Sequence, residues 1–183
     1  MEIMHSKNRP IHINEQFLSD EAWYALYTKS RHEKRVEAQV RDMGIECYLP
    51  MRETVSQWSD RKKIVEKPLF PSYVFVRGGA KERYRAVQAY GAVMFITFNG
   101  QPARVLDEEI HSIRRVLKHD TAAEACRCYA QGDPVKIVRG PLAGLTGYIK
   151  ETSGSSRLFI NIQTIDQALS VNVAAEDVAP VTA

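Results

Sequence analysis

Pro68-Leu69-Phe70-Pro71-Ser72-Tyr73-Val74-Phe75-Val76 runs from a stiff turn into a strand. Each proline fixes its own backbone and restricts the residue before it, so residues 68–71 form a rigid approach. Ser72 to Arg77 then has the β-branched and aromatic content of a strand. Upstream, Trp23-Tyr24-Ala25-Leu26-Tyr27-Thr28 is a strand of the same kind, with alternate residues facing opposite ways. Between the two, Ser30 and Glu33 have the S-x-x-E spacing of a capping box. The helix that follows carries Val36, Val40 and Met43 on one face, and Gly44 stands where a left-handed cap would end it. Ile45 to Leu49 reads as a short strand. Residues 51–67 read as a basic hairpin, with Ser59-Asp60 at its tip and Trp58 beside it.

Downstream, Lys81 to Tyr90 predicts a helix with Tyr84, Val87 and Tyr90 at helical spacing, ended by Gly91. Val93 to Phe98 predicts a strand. Asp107 is expected to cap a third helix with Ile110, Ile113, Val116 and Leu117 apolar. Its first turn is acidic and its last turn basic, the polarity a helix dipole prefers. Residues 22–119 therefore predict an α+β sandwich, an antiparallel sheet with flanking helices. Residues 120–128 lack turn residues and bulky apolar ones and are read as a linker. From Tyr129 onward there is no helical period. Pro134–Val138, Thr146–Glu151, Leu158–Ile162, Ala168–Val173 and Val178–Val181 are strand candidates separated by turn signals, which predicts a small barrel over residues 129–183. Residues 1–21 are an N-terminal extension.

The 183 residues are 44% hydrophobic and 26% charged, which excludes collagen-like, low-complexity and wholly disordered chains. The net charge of +3 is unevenly spread. Residues 23–119 hold 18 basic and 11 acidic side chains, whereas residues 120–183 hold five basic and seven acidic. A basic body thus precedes an acidic end, which suggests different partners for the two parts. Residues 1–22 lack the apolar run of a signal peptide, and the uncharged stretch from Ala86 to Ala103 is too polar to span a membrane, so a cytoplasmic protein without membrane contact is expected. Three cysteines, Cys47, Cys126 and Cys128, make neither a disulfide framework nor a zinc site. No histidine pair has metal-ligand spacing, no Gly-rich phosphate loop exists, and no nucleophile has an identifiable base. Neither an enzyme nor a cofactor is expected.

A second motif decides the C-terminal part: Gly132-Asp133-x-Val135-Lys136-Ile137-x-Arg139-Gly140-Pro141-Leu142-Ala143-Gly144-x-x-Gly147. Gly140 and Gly144 permit a tight turn between two strands, and Gly147 permits close packing early in the second. Leu142 and Leu145 either project from this loop or cap the barrel core. With Trp23-Tyr24 and the 68–76 segment upstream, the chain resembles the NusG family, whose members carry a KOW motif in an SH3-like barrel. The resemblance covers about residues 22–181. It implies an elongation and antitermination factor that binds the clamp helices of the largest RNA polymerase subunit and suppresses pausing or termination.

Carried onto this sequence, the resemblance gives Trp23, Tyr24, Phe70, Pro71 and Tyr73 as polymerase-binding. Phe70, held between prolines, is expected at the surface. Lys29, Arg31, Lys34 and Arg35 are the residues for the non-template DNA strand, against the alternative of a solvated helix face. Leu142, Leu145 and Ile165 would bind the partner of the KOW barrel, a small-subunit ribosomal protein, with the termination factor Rho the lesser candidate because Asp166-Gln167 follows Ile165. Ser72, where NusG has Gly, points to a specialised branch of the RfaH or UpxY type acting on particular operons such as surface-polysaccharide clusters. The C-terminal composition, rich in Val, Ile, Thr and Gly, predicts a permanent barrel. A general housekeeping NusG and a ribosome-associated KOW-type RNA-binding protein are the alternatives.

Overall fold

The computed structural model describes residues 21–57, 62–120, 123–152 and 155–181. The N-terminal extension up to residue 20 and the hairpin tip at Trp58, Ser59 and Asp60 lie outside the described residues.

Strand β1 (Ala22–Thr28) is the middle of a five-stranded antiparallel sheet. On one side it pairs with β5 (Tyr73–Gly78), which pairs in turn with the short β2 (Cys47–Tyr48). On its other side it pairs with β6 (Ala92–Phe95) and with β9 (Arg104–Val105). Strands β3 (Met51–Gln57) and β4 (Lys62–Pro68) form the separate basic hairpin. Thr97–Phe98 (β7) and Gln101–Pro102 (β8) form a second, smaller one. The expected strand over 93–98 is thus broken at Ile96, whose N–H donates to Ala25 O.

Both faces of β1 and β5 are covered. Leu26, Val74 and Val76 pack with Val36 and Val40 of helix α1 (Glu33–Asp42) and with Ala86 of helix α2 (Ala80–Ala86). Trp23, Ala25 and Phe75 pack with Ile110, Ile113 and Val116 of helix α3 (Asp107–His119). The sandwich of sheet and flanking helices is therefore present, and its two cores follow from the two-residue period of the strands.

Helix α1 ends as expected. Gly44 has φ +74, and its N–H donates to Arg41 O. Its start differs. His32 is the N-cap and makes no side-chain capping bond, so the Ser30–Glu33 capping box does not form. Glu33 is instead buried and accepts a 2.8 Å hydrogen bond from Ser72 N–H. Ser72 is left-handed at φ +66, a conformation glycine adopts without cost. The acid is drawn away from its own helix because that turn presents an amide which water cannot fully reach. Helix α2 is also shorter than expected. Tyr84 and Tyr90 are 71% and 57% exposed, so their helical spacing does not mark a core stripe. In α3 the N-cap is Leu106, one residue before Asp107, and Glu109 accepts the Leu106 N–H.

The C-terminal part is all β among the described residues, apart from two single 3₁₀ turns. Strands β10 (Glu124–Arg127), β11 (Pro134–Ile137), β12 (Thr146–Thr152), β13 (Ser155–Ile162), β14 (Gln167–Val173) and β15 (Val178–Pro180) form one antiparallel sheet. Their order is β10-β14-β13-β12-β11-β15. The five expected strands are all present. The sheet is open, with β10 and β15 at its edges, so the expected closed barrel is not found. The segment read as a linker contains β10, whose Cys126 and Arg127 pair with Ala168 and Gln167. Composition missed it because an edge strand need bury only one face.

Gly140 (φ +79) and Gly144 (φ +96) shape the loop between β11 and β12. A Cβ on Gly147 would lie 2.3 Å from Phe159 O, a backbone atom that cannot move aside. Gly147→Ala is expected to cost the C-terminal sheet about 1–3 kcal/mol by overpacking, read as earlier loss of β structure in chemical denaturation. Glu33→Ala leaves the Ser72 N–H without its partner and is expected to cost about 1–3 kcal/mol, read as a lower Tm.

Candidate functional site

The aromatic residues singled out in the sequence fall on opposite faces. Trp23 and Phe70 lie in the core that contains α3, at 3% and 0% exposure, and Tyr73 packs at its edge. Tyr24 faces the other way, with Arg83 of α2 4.2 Å above its ring and Phe95 edge-on. Pro71 is exposed. The expectation that Phe70 sits at the surface is corrected. The prolines do hold it in a turn, but the turn points inward, and Phe70 meets Phe75 edge-on at 6.1 Å. Tyr73 stays half-buried, in T-shaped contact with Tyr27 at 5.6 Å. Burial raises its phenol pKa, and Tyr27 and Asp166 add to the rise. Arg114 of α3 lies over the rings of Tyr48 (4.9 Å) and Trp23 (5.4 Å). Burial pushes the Tyr48 phenol up to about 12, against the opposing pull of Arg114.

Leu142, Leu145 and Ile165 belong to the same apolar cluster as Trp23, Phe70 and Tyr73. Leu145 and Ile165 are buried and Leu142 is half-buried. Of the two readings for the loop leucines, packing into a core is the observed one. The candidate surfaces of the two parts thus meet in one core. Hydrogen bonds fasten the contact at its rim. Arg115 Nη2 donates to Pro141 O and Ala143 O, both at 2.8 Å. Gln163 N–H donates to Glu109 Oε1 at 3.1 Å, and Thr164 Oγ1 to Arg104 O at 2.9 Å.

The four cations near α1 divide into two groups. Arg31 and Lys34 line a cleft of about 640 Å³ together with Arg52 and Lys67, and Ala125 and Gln167 of the C-terminal sheet line it from across. Lys34 pairs with Glu66 at 3.6 Å, and Arg52 with Glu124 at 3.5 Å. Lys29 and Arg35 lie instead over the ring of Tyr90.

Among the described residues no group of three His, Cys, Asp or Glu is placed to hold a metal. Cys126 and Cys128 are free thiols whose Sγ atoms approach Ala168 O and Gln167 O. Burial is the main cause that pushes the Cys128 thiol up to about 11, which keeps it protonated and unreactive. No described helix is long and apolar enough to cross a membrane.

The family model described as "Transcription termination factor nusG" matches residues 21–114, just over half of the chain. The chain belongs to the NusG family. Among curated relatives, the transcription termination/antitermination protein NusG of Thermus thermophilus is 29% identical over 149 residues, covering 70% of this chain and 81% of the relative. The NusG of Helicobacter pylori is 24% identical over 164 residues, covering 82% and 93%. Among solved structures, one titled "Domain interaction in Thermotoga maritima NusG" aligns over 89% of this chain and 98% of its own, with a TM-score of 0.54 at 24% identity, which supports the shared fold.

This NusG-family chain is thus a transcription termination/antitermination factor by family. Sequence reasoning missed Glu109, Arg114, Arg115 and Tyr90. The first three had been read only as charges suited to the ends of α3, and nothing local marks the loop carbonyls that Arg115 meets. Arg115→Ala is expected to loosen the contact between the two parts of this NusG-family protein. The Gln163 amide, which donates across that contact, should exchange with solvent about 10- to 150-fold faster, since a charged hydrogen bond is worth about 1.5–3 kcal/mol.

Proposed function

We propose that this chain is an elongation and antitermination factor that binds the clamp helices of RNA polymerase and suppresses pausing or termination at particular operons, as in the RfaH and UpxY branch. Residues 22–119 act as the polymerase-binding domain and 129–183 as an SH3-like KOW module. Trp23, Phe70 and Tyr73 form the apolar anchor, with Pro71 shaping its edge. Tyr24 supports the strand from the opposite face. Aromatic anchors of this kind bury large area at low entropy cost. Lys29, Arg31, Lys34 and Arg35 meet the non-template DNA strand. Leu142, Leu145 and Ile165 take a second protein, a small-subunit ribosomal protein before Rho.

The observation that carries this reading is the single cluster shared by Trp23, Phe70, Leu145 and Ile165. Both proposed anchors are buried in that one cluster, so in this reading each is reached only when the two parts separate. Polymerase then favours the open form by binding it alone, and its effect is bounded by that difference in affinity. Nascent-transcript sequencing with and without the protein tests the target: changes confined to one or a few operons support a specialised factor, and changes everywhere mean a housekeeping one. Polymerase pull-down tests the mechanism. Arg115→Ala, which loosens the closed form, is expected to raise recovery of polymerase several-fold, and Tyr73→Ala to lower it. Equal recovery of all three proteins would contradict the mechanism.

A further inference from the structure

The cleft between the basic hairpin and the C-terminal sheet gathers like charges that have no apparent reason to sit together. Arg52 of β3 and Lys67 of β4 are direct partners in the hairpin register, and both line the cleft. Like charges directly opposite one another destabilise a strand pair. Lys34 of α1 and Arg31 of the turn before it line the same space. Arg31 is held left-handed at φ +64, in a turn where His32 N–H donates to Lys29 O at 3.1 Å. Four cations from three elements of the chain thus reach one cleft of about 640 Å³. Small-molecule sites span about 300–1,000 Å³.

Carboxylates meet only part of this charge. Glu33 also lines the cleft, but it already accepts the Ser72 N–H. Lys34 pairs with Glu66 and Arg52 with Glu124, both at the protein surface, where such pairs are weak. Among the described residues Arg31 and Lys67 pair with no carboxylate. The remaining wall is mostly apolar, with Pro68 and Pro71 on one side and Ala125 of β10 across from them. Several cations beside an apolar wall match a small molecule with clustered negative charge and an apolar part. Phosphate groups suit the cations, because charge-assisted hydrogen bonds are the strong ones.

We propose that this cleft binds a small-molecule polyphosphate of the nucleoside triphosphate class, and that the bound molecule holds the two parts of the chain together. Arg31, Lys34, Arg52 and Lys67 take the phosphates, and the nucleoside lies against Pro68, Pro71 and Ala125. Gln167 of β14 offers a neutral amide from the C-terminal side. Ala125 and Gln167 stand across from the cations only while the two parts are joined. The ligand therefore binds the closed form better than the open one and shifts the balance toward it. This second step rests on the separation of the two parts set out under the proposed function. The binding site itself does not.

The test titrates the full chain with ATP, tripolyphosphate and adenosine in a calorimeter. Both polyphosphates are expected to bind and adenosine is not. Tighter binding of ATP than of tripolyphosphate assigns a nucleotide, and equal binding assigns free polyphosphate. Lys67 is exposed, so Lys67→Gln should fold normally, which circular dichroism checks. It is expected to weaken ATP binding about 10- to 150-fold, the loss of one charged hydrogen bond. Lys67→Arg should retain binding, and Lys81→Gln on α2, outside the cleft, should leave it unchanged. At ten times its Kd, ATP should slow exchange of the Gln163 amide about tenfold, because only the closed form binds. No binding of either polyphosphate, or wild-type affinity in Lys67→Gln, overturns the site. A short oligo-dT strand that binds through Lys67 where ATP does not would also overturn it and give the cleft to nucleic acid. Gln163 exchange that ATP leaves unchanged but Arg115→Ala accelerates overturns the bridging alone. Exchange that neither changes overturns the separation of the two parts, and with it the mechanism proposed for polymerase.

Discussion

Alternate residues of a strand face opposite ways, and β1 is apolar on both faces. Leu26 requires a cover on one side and Trp23 and Ala25 on the other. Helices α1 and α2 supply the first cover. Helix α3 supplies only part of the second. Leu145, Ile165 and Leu169 of the C-terminal part complete the same cluster. The union of the two parts is therefore a consequence of a sheet with more apolar surface than its own helices can hide.

This arrangement sets the energetics of opening. A fully buried leucine or isoleucine contributes about 1.5–3 kcal/mol, whereas a neutral hydrogen bond contributes about 0.5–1.5 kcal/mol net. The rim bonds involve the charged Arg115 and Glu109, worth about 1.5–3 kcal/mol each, so they rank with a buried leucine and also fix the register of the contact. Separating the two parts requires releasing the Arg115 guanidinium from the carbonyls of Pro141 and Ala143.

Much of the fold was legible because it rests on local physics. Gly44 ends α1 through its left-handed backbone, α3 matches its charge to its dipole, and the five strands after Tyr129 are punctuated by turn residues. What was not legible depends on distant partners. Glu33 has the spacing of a capping residue but bonds to Ser72, 39 positions away. Strand β10 has too little apolar content to stand out and exists because β14 offers an edge. Tyr84 and Tyr90 have helical spacing, but Tyr84 lies on the solvent side of α2 and Tyr90 beyond its end at Ala86, so both project into water. Phe70 was placed outside by its prolines, which set the chain's stiffness but not the direction in which the turn points.

By itself the sequence determined the family, the order of helices and strands, the all-β character of the C-terminal part and the basic surplus around α1. These depend on composition, periodicity and turn chemistry, which act over a few residues. Only the tertiary structure decided that Trp23 and Tyr24 part company across the sheet, that Phe70 is buried, that Trp23 and Phe70 share one apolar cluster with Leu145 and Ile165, and that Lys29 and Arg35 converge on Tyr90. Each of these is a relation between residues far apart in the chain. Such relations are set by which surfaces remain to be buried after the local elements have formed.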